Sequence, residues 1–440
     1  MKCTEIPEIC ELLTIADQPL REDEKLPILP HDMESICSSV FQHEDICLES
    51  DISILFRIGA DRPQISSEVL SLISRSPPPD GTESLFISFW DANIRWILEY
   101  LIPEGKSIRN SDEDTGTGNL RPDYGFLLEN LCVFRGEEKP PGSRADPKQE
   151  LSDKLEWAYD PAQYVLGYYA TGSNATLVAI SPPRSPGGSV IVHDIYCANL
   201  RLKRDRILHI RRLINLSTLF KVISDTANCK NVEFQKLKRE NSNVEIAGRR
   251  IVKEFTSPDR YERLDRLCRI YHLLKEQKVP NTDHLEHMYK EKATVVLSPR
   301  GIERLPETED QLLSALKCVL ECLQIIHKAT LFHRDIRWPN VIKALRNDDE
   351  WFVIDWEDAA CPPTKAMPHF NRKTHSPNIF LDEHGADVDI WGVGKLINSC
   401  KILHLSPEIL DLGKYMQSAD PPTADQALER VMELRSSHSS

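Results

Sequence analysis

The residues whose types and spacing most clearly suit a reaction lie between 331 and 357. Leu331-Phe332-His333-Arg334-Asp335-Ile336-Arg337-Trp338-Pro339-Asn340-Val341 fits H-R-D-x-x-x-x-N, and Asp355 follows fifteen residues after Asn340 in Phe352-Val353-Ile354-Asp355-Trp356-Glu357. Phosphoryl transfer asks for such groups: a carboxylate to accept a hydroxyl proton, then an amide oxygen and a second carboxylate to hold Mg2+ against the phosphates of ATP. One loop would supply Asp335 and Asn340, and a following strand hairpin would deliver Asp355. A second cluster lies upstream, where Pro122-Asp123 is followed by Glu137-Glu138-Lys139, with Glu137 fourteen residues after Asp123. On adjacent strands Asp123 and Glu137 could share one Mg2+ that polarises a phosphodiester and activates water. Lys139, two residues along the strand from Glu137, faces the same way and could stabilise the attacking hydroxide or the charge developing on phosphorus.

The elements that must position these groups follow from periodicity and breakers. Helical spacing is expected over 66–75, 83–102, 148–169, 200–225, 260–277 and 308–329. Val- and Ile-rich strands are expected over 175–181, 189–196, 232–237, 245–255 and 293–297, near Val341 and over 351–354. Residues 123–134 read as two short strands around a turn at Glu129-Asn130, and 105–119 as a polar loop. The run Ser76-Pro77-Pro78-Pro79-Asp80-Gly81 is a breaker, and it carries a rival Pro-Asp pair. Three segments result: 1–78, of unknown role; 79–226, holding the Asp123–Lys139 cluster; and 227–440, holding the Asp335–Asp355 cluster.

The downstream motifs resemble the protein kinase fold. Val388-Asp389-Ile390-Trp391-Gly392-Val393-Gly394 looks like the opening of the large buried C-lobe helix, Ser376-Pro377-Asn378 stands where a kinase has A-P-E, and Val296–Gly301 looks like the hinge. The stretch 249–255 resembles strand β3 of a kinase, which implies Lys253 as the lysine on the α- and β-phosphates. The resemblance further implies Asp335 as base, Asn340 and Asp355 as metal ligands, Arg334 as the regulatory arginine, and Arg337 in the usual Lys position near the γ-phosphate. The chain departs from the pattern in three places. No G-x-G-x-x-G precedes Lys253, the D-F-G triplet is Asp355-Trp356-Glu357, and the glutamate expected to pair with Lys253 has only Glu262 and Asp265 as candidates.

The upstream motif resembles the PD-(D/E)xK nuclease superfamily, whose core runs helix, three strands, helix, strand. That resemblance implies Asp123 and Glu137 as metal ligands, Lys139 as catalytic lysine, Glu83 as a further acid, and Gln163 with Tyr164 and Tyr168 on the second helix. A nuclease-like domain ahead of a small kinase-like one resembles the C-terminal region of Crinkler-type effectors. It implies an α+β chain of two main domains, a restriction-endonuclease-like α/β core followed by a bilobal protein-kinase-like fold. ATP and Mg2+ would be the cofactors, a protein the substrate and double-stranded DNA a second partner.

Composition narrows the alternatives. The 440 residues are 40% hydrophobic and 28% charged, which excludes a disordered or fibrous chain. No run of about 18 apolar residues exists, so no membrane span is expected. Met1-Lys2-Cys3-Thr4-Glu5 lacks a basic-then-apolar leader, and the scattered cysteines contain no CxxC pair; together they suit a reducing, cytoplasmic or nuclear setting. Cys318 and Cys322, one helical turn apart, read as core. His284 and His287 read as surface residues. The net charge of −14 hides an asymmetry: residues 201–254 hold 14 Lys and Arg against 6 Asp and Glu. The basic run at Arg201, Lys203, Arg204, Arg206, Arg211 and Arg212 could face a DNA backbone, form a solvated helix face, or act as a localisation signal. Three functions therefore compete: a Ser/Thr protein kinase, a metal-dependent nuclease regulated by a kinase-like module, and a non-catalytic protein retaining both folds.

Overall fold

The strand signals between 106 and 199 condense, in the computed structural model, into one mixed sheet. The structure describes residues 5–38, 48–76, 78–79, 82–109, 121–185, 188–227, 233–234, 236–345 and 349–438. The rival Asp80 and most of the 105–119 loop lie outside them. The chain is α+β and forms two compact units, 1–234 and 235–440. No helix among the described residues is long and apolar enough to cross a membrane.

In the first unit, helices α1 (Leu12–Ala16), α2 (Pro30–Ser38), α3 (Glu49–Ile52) and α4 (Gln64–Ser74) accompany a parallel pair, β1 (Leu26–Ile28) and β2 (Phe56–Ile58). Helices α5 (Glu83–Trp90) and α6 (Trp96–Leu101) continue each other through a π-helical turn. The main sheet runs in sequence order: β3 (Lys106–Arg109), β4 (Tyr124–Leu128), β5 (Leu131–Lys139), β6 (Val165–Thr171), β7 (Asn174–Ser181) and β8 (Ile191–Asn199). Only β5 and β6 are parallel, and their connection carries α7 (Pro147–Asp153). The β4–β5 turn falls at Glu129-Asn130, both at positive φ (50° and 71°), the geometry a two-residue hairpin favours. Helices α8 (Lys203–Ser217) and α9 (Phe220–Thr226) complete the unit. Residues from Leu12 to Ala227 share one core, so segment 1–78 is built into it.

Two expectations are corrected here. The helix expected over 148–169 stops at Asp153, and its second half is strand β6. Pro161 denies the helix a donor, and the run from Tyr164 to Tyr169 is rich in the aromatic residues that suit a buried strand. Gly167 permits the close pairing, since a Cβ there would stand 2.5 Å from the Arg135 carbonyl oxygen. The basic helix turns most of its charge inward, with Arg204 the largely exposed exception. Arg206 is fully buried and donates to the carbonyls of Leu72 (2.9 Å), Ile73 (3.2 Å) and Arg75 (2.6 Å), at the end of α4. Lys203 Nζ donates to Ile36 O (2.8 Å) in α2, while Arg211 and Arg212 meet Asp17 just beyond α1. Helix C-termini leave carbonyls unsatisfied and carry partial negative charge; these cations answer both.

The second unit opens with an antiparallel sheet, in order β12-β13-β11-β10-β9. Its strands are β9 (Lys236–Lys238), β10 (Ser242–Ala247), β11 (Arg250–Phe255), β12 (His284–Tyr289) and β13 (Thr294–Ser298). The single strand expected over 245–255 is a hairpin, turned at Gly248 with φ +56°. Helix α10 (Arg260–Glu276) joins β11 to β12. A smaller sheet follows, of β14 (Gly301–Ile302), β15 (Val341–Ala344) and β16 (Trp351–Val353), with helices α11 (Glu309–Lys328), α12 (Asp387–Ser399), α13 (Pro407–Met416) and α14 (Ala424–His438). Cys318 and Cys322 are buried in the α11 core stripe.

Candidate functional site

Each unit gathers one of the motif clusters. In the second unit, Asp335 and Asn340 lie on the loop between α11 and β15. The loop is tied down from beneath: Asp389 of α12, fully buried, accepts the backbone N–H of His333 (2.9 Å) and of Arg334 (2.6 Å), and bonds His327 Nε2 (3.0 Å). Burial alone would raise the Asp389 pKa, but these donors hold it below the ordinary carboxylate value. Asp335 is only 2% exposed. Its carboxylate receives Arg337 Nη2 (2.9 Å) and Asn340 Nδ2 (2.8 Å) on Oδ2, and meets His375 Nε2 (2.8 Å) on Oδ1. Against the upward pressure of burial, His375 and Arg337 keep Asp335 below its usual pKa, so it stays an anion. With its Nδ2 engaged, Asn340 has its amide oxygen left to offer as a ligand.

Asp355 joins this loop through its neighbour. Ile354 N–H donates to Asn340 O (3.0 Å), and His333 Nε2 meets Ile354 O (3.0 Å). Asp355 itself is left-handed (φ 68°) and takes Lys253 Nζ on Oδ1 at 3.0 Å. Lys253 is buried on β11 and also pairs with Glu357. Burial would lower the lysine pKa, but Asp355 and Glu357 raise it overall and keep it charged. Neither Glu262 nor Asp265 serves this lysine: Glu262 is exposed, and Asp265 faces Lys290 at 3.8 Å. The sequence reading missed Glu357 and His375; the only hint was Glu357 standing where a glycine was expected.

In the first unit, Asp123 precedes β4, Glu137 and Lys139 share a face of β5, and Glu150 and Lys154 come from α7 and its end. Lys139 Nζ lies 3.6 Å from Asp123 and 3.1 Å from Glu150; Lys154 Nζ lies 2.6 Å from Glu137 and 3.0 Å from Glu150. Glu83, at the start of α5, belongs to the same field: burial and then Asp123 raise its pKa. Glu137 is fully buried, and its Oε1 has no hydrogen-bond partner. Burial, then the charge of Asp123, pushes its pKa well above the carboxylate range. An orphaned buried carboxylate oxygen of this kind fits a divalent cation. Among the described residues no three His, Cys, Asp or Glu are grouped to hold a metal, so Asp123 and Glu137 would share it with backbone and water. Glu138 points to the opposite face, where Arg109 binds it at 2.6 and 3.1 Å and Tyr168 donates to it.

One expected member is absent from this cluster. Gln163 is exposed in the bend ahead of β6, not on a helix, because the second helix ends ten residues earlier. Lys154 and Glu150 stand in the cluster instead, and sequence reasoning missed both. Their i, i+4 spacing on a helix was the available signal.

No protein-family model matches the chain. Among curated proteins it is similar to Crinkler effector protein 8 of Phytophthora infestans, 37% identical over 365 residues, which cover 80% of this chain and 60% of that protein. The chain thus spans about three-fifths of the length of the relative it matches. This similarity agrees with the Crinkler resemblance carried by the motifs.

Proposed function

We propose that residues 227–440 form a protein-kinase-like domain that transfers the γ-phosphate of ATP to a Ser or Thr hydroxyl of a protein. The observation that carries this is the assembly of Asp335, Asn340 and Asp355 on one stitched loop, with Lys253 seated on Asp355. A five-stranded antiparallel sheet with a helix between its third and fourth strands in sequence, followed by a mainly helical half, supports the fold. Asp335 is the base: it is anionic, buried and held in one orientation. Arg337 offsets its charge and lies where the γ-phosphate would come. Lys253 holds the α- and β-phosphates. Asn340 and Asp355 would hold Mg2+, whose charge, when bound, offsets that of the phosphates. The expected result is phosphate transfer from labelled ATP by the wild type, and loss of at least about 100-fold in Asp335→Asn. Folded wild type without transfer to itself or to generic protein substrates would remove the proposal.

A second activity is favoured by the orphaned Glu137 oxygen beside Asp123 and Lys139. We propose a PD-(D/E)xK-like site in residues 79–226, cutting double-stranded DNA. Helix, three strands, helix and strand follow in order from α5 to β6, which supports that core. Lys139→Ala is expected to abolish Mg2+- or Mn2+-dependent cleavage while Asp335→Asn leaves it intact. Nucleotide binding with neither activity would favour a binding role for both domains. An effector acting in a cytoplasmic or nuclear setting is part of the same proposal.

A further inference from the structure

Protein kinases pair the phosphate-binding lysine with a glutamate from the helix that follows its strand. Here that helix, α10, offers no such acid: Glu262 is exposed and Asp265 turns to Lys290. It offers a cation instead. Arg263 Nη1 reaches Glu357 Oε2 at 3.3 Å, and Arg263 Nε holds Asp259 Oδ2 at 2.9 Å. Glu357 in turn contacts Lys253 through its other oxygen. Its backbone is fixed in a short 3-10 turn, Trp356–Asp358, whose Trp356 is fully buried against the His333 ring at 4.6 Å.

On the kinase reading, from which this follows, we infer that Glu357 is the positioning carboxylate for Lys253 and that Arg263 is the residue coupling α10 to it. The usual polarity is reversed: the helix contributes the positive charge and the segment after Asp355 contributes the negative one. The arrangement also answers a conflict within the site. Asp355 must engage Mg2+, yet it binds Lys253 at 3.0 Å. A lysine only 7% exposed cannot be left without a counter-charge when Asp355 turns away. Glu357 keeps it paired and aimed.

The test measures Mg-ATP binding and Asp335-dependent transfer in the full chain for wild type, Glu357→Gln, Arg263→Ala and the double variant. Glu357→Gln is expected to weaken ATP binding and raise KM for ATP about tenfold, with the Mg2+ concentration for half-activity unchanged. Arg263→Ala is expected to give a smaller change in the same direction, and the double variant to be no worse than Glu357→Gln, as for residues in one chain of contacts. A raised Mg2+ requirement at unchanged ATP affinity would overturn the inference, making Glu357 a metal ligand. Unchanged ATP binding in Glu357→Gln with active wild type would overturn it while leaving the kinase reading standing. Wild type that binds ATP without transferring, with binding weakened in Glu357→Gln, would remove the kinase reading and keep the inference. Should Glu357→Gln fail to fold, Arg263→Ala, altered at a partly exposed position, carries the same comparison.

Discussion

In the second unit, Asp335, Asp355 and Asp389 differ from Asp283 in the number of donors each carboxylate meets. Asp335, Asp355 and Asp389 are rich in cationic or N–H partners and lie below their ordinary pKa. Asp283 is not: Tyr271 donates one hydrogen bond at 2.9 Å, and burial, reinforced by the nearby charge of Asp355, pushes its pKa to about 7. An acid raised on folding binds its proton more tightly in the folded state. The associated stability is therefore present below the unfolded pKa and is lost as pH rises towards 7. Asn at this position keeps an acceptor for Tyr271 and cannot ionise. Asp283→Asn is expected to melt about 3–6 °C above wild type at pH 8, and no higher than wild type at pH 4, in paired thermal scans. At this scale the sequence was legible where partners are close along the chain. Asp335, Asn340 and Asp355 share a motif; Glu357 and His375 acquire their roles only when distant segments meet, and the i, i+4 spacing of Glu150 and Lys154 marks a helical pair without naming the strand it faces.

Helix α8 shows how charge can be misread at the scale of an element. Counting Lys and Arg left a DNA-facing surface, a solvated face and a localisation signal open, all of them exposed, yet Arg206 and Lys203 are buried and face the carbonyl ends of α4 and α2. Charge counts register cations but not helix ends in need of them. Arg206→Met keeps the bulk and removes the donors, so it is expected to cost about 3 kcal/mol in urea unfolding. Arg204→Met, at a largely exposed position facing Asp51 at 3.0 Å, is expected to cost less than about 1 kcal/mol. Strand β6 was misread for a related reason. The periodicity of an apolar run of this length does not separate a buried strand from a buried helix; Pro161, the aromatic run and the pairing of Gly167 with Arg135 do. Helices α10 and α11 were legible because each is long and amphipathic; β12, carrying His284 and His287 with no strong apolar alternation, was not.

Across the whole molecule, the two units have separate cores, one built from Leu12 to Ala227 and the other from Phe255 to Leu434. Cooperative unfolding follows cores, so calorimetry is expected to resolve two transitions. At a fixed Mg2+ concentration, ATP, bound only by the second unit on the proposed reading, should raise one of them by several degrees and leave the other in place, as mass action requires. Equal shifts of both, or one merged transition, would contradict that independence. The membership of segment 1–78 is not legible in the sequence, because its helices are short and the partner that joins α1, α3 and α4 to the core, α8, lies more than a hundred residues away.

That membership bears on how the first half of this chain can be shortened. A motif-based trim beginning at residue 79 would keep Asp123, Glu137 and Lys139 but discard the carbonyls of Ile36, Leu72, Ile73 and Arg75 that Lys203 and Arg206 face. The remnant would expose the inner side of α8 as a greasy, positively charged flank. Such a surface adheres to nucleic acid and to other copies alike, so a shortened protein could imitate DNA binding through damage alone.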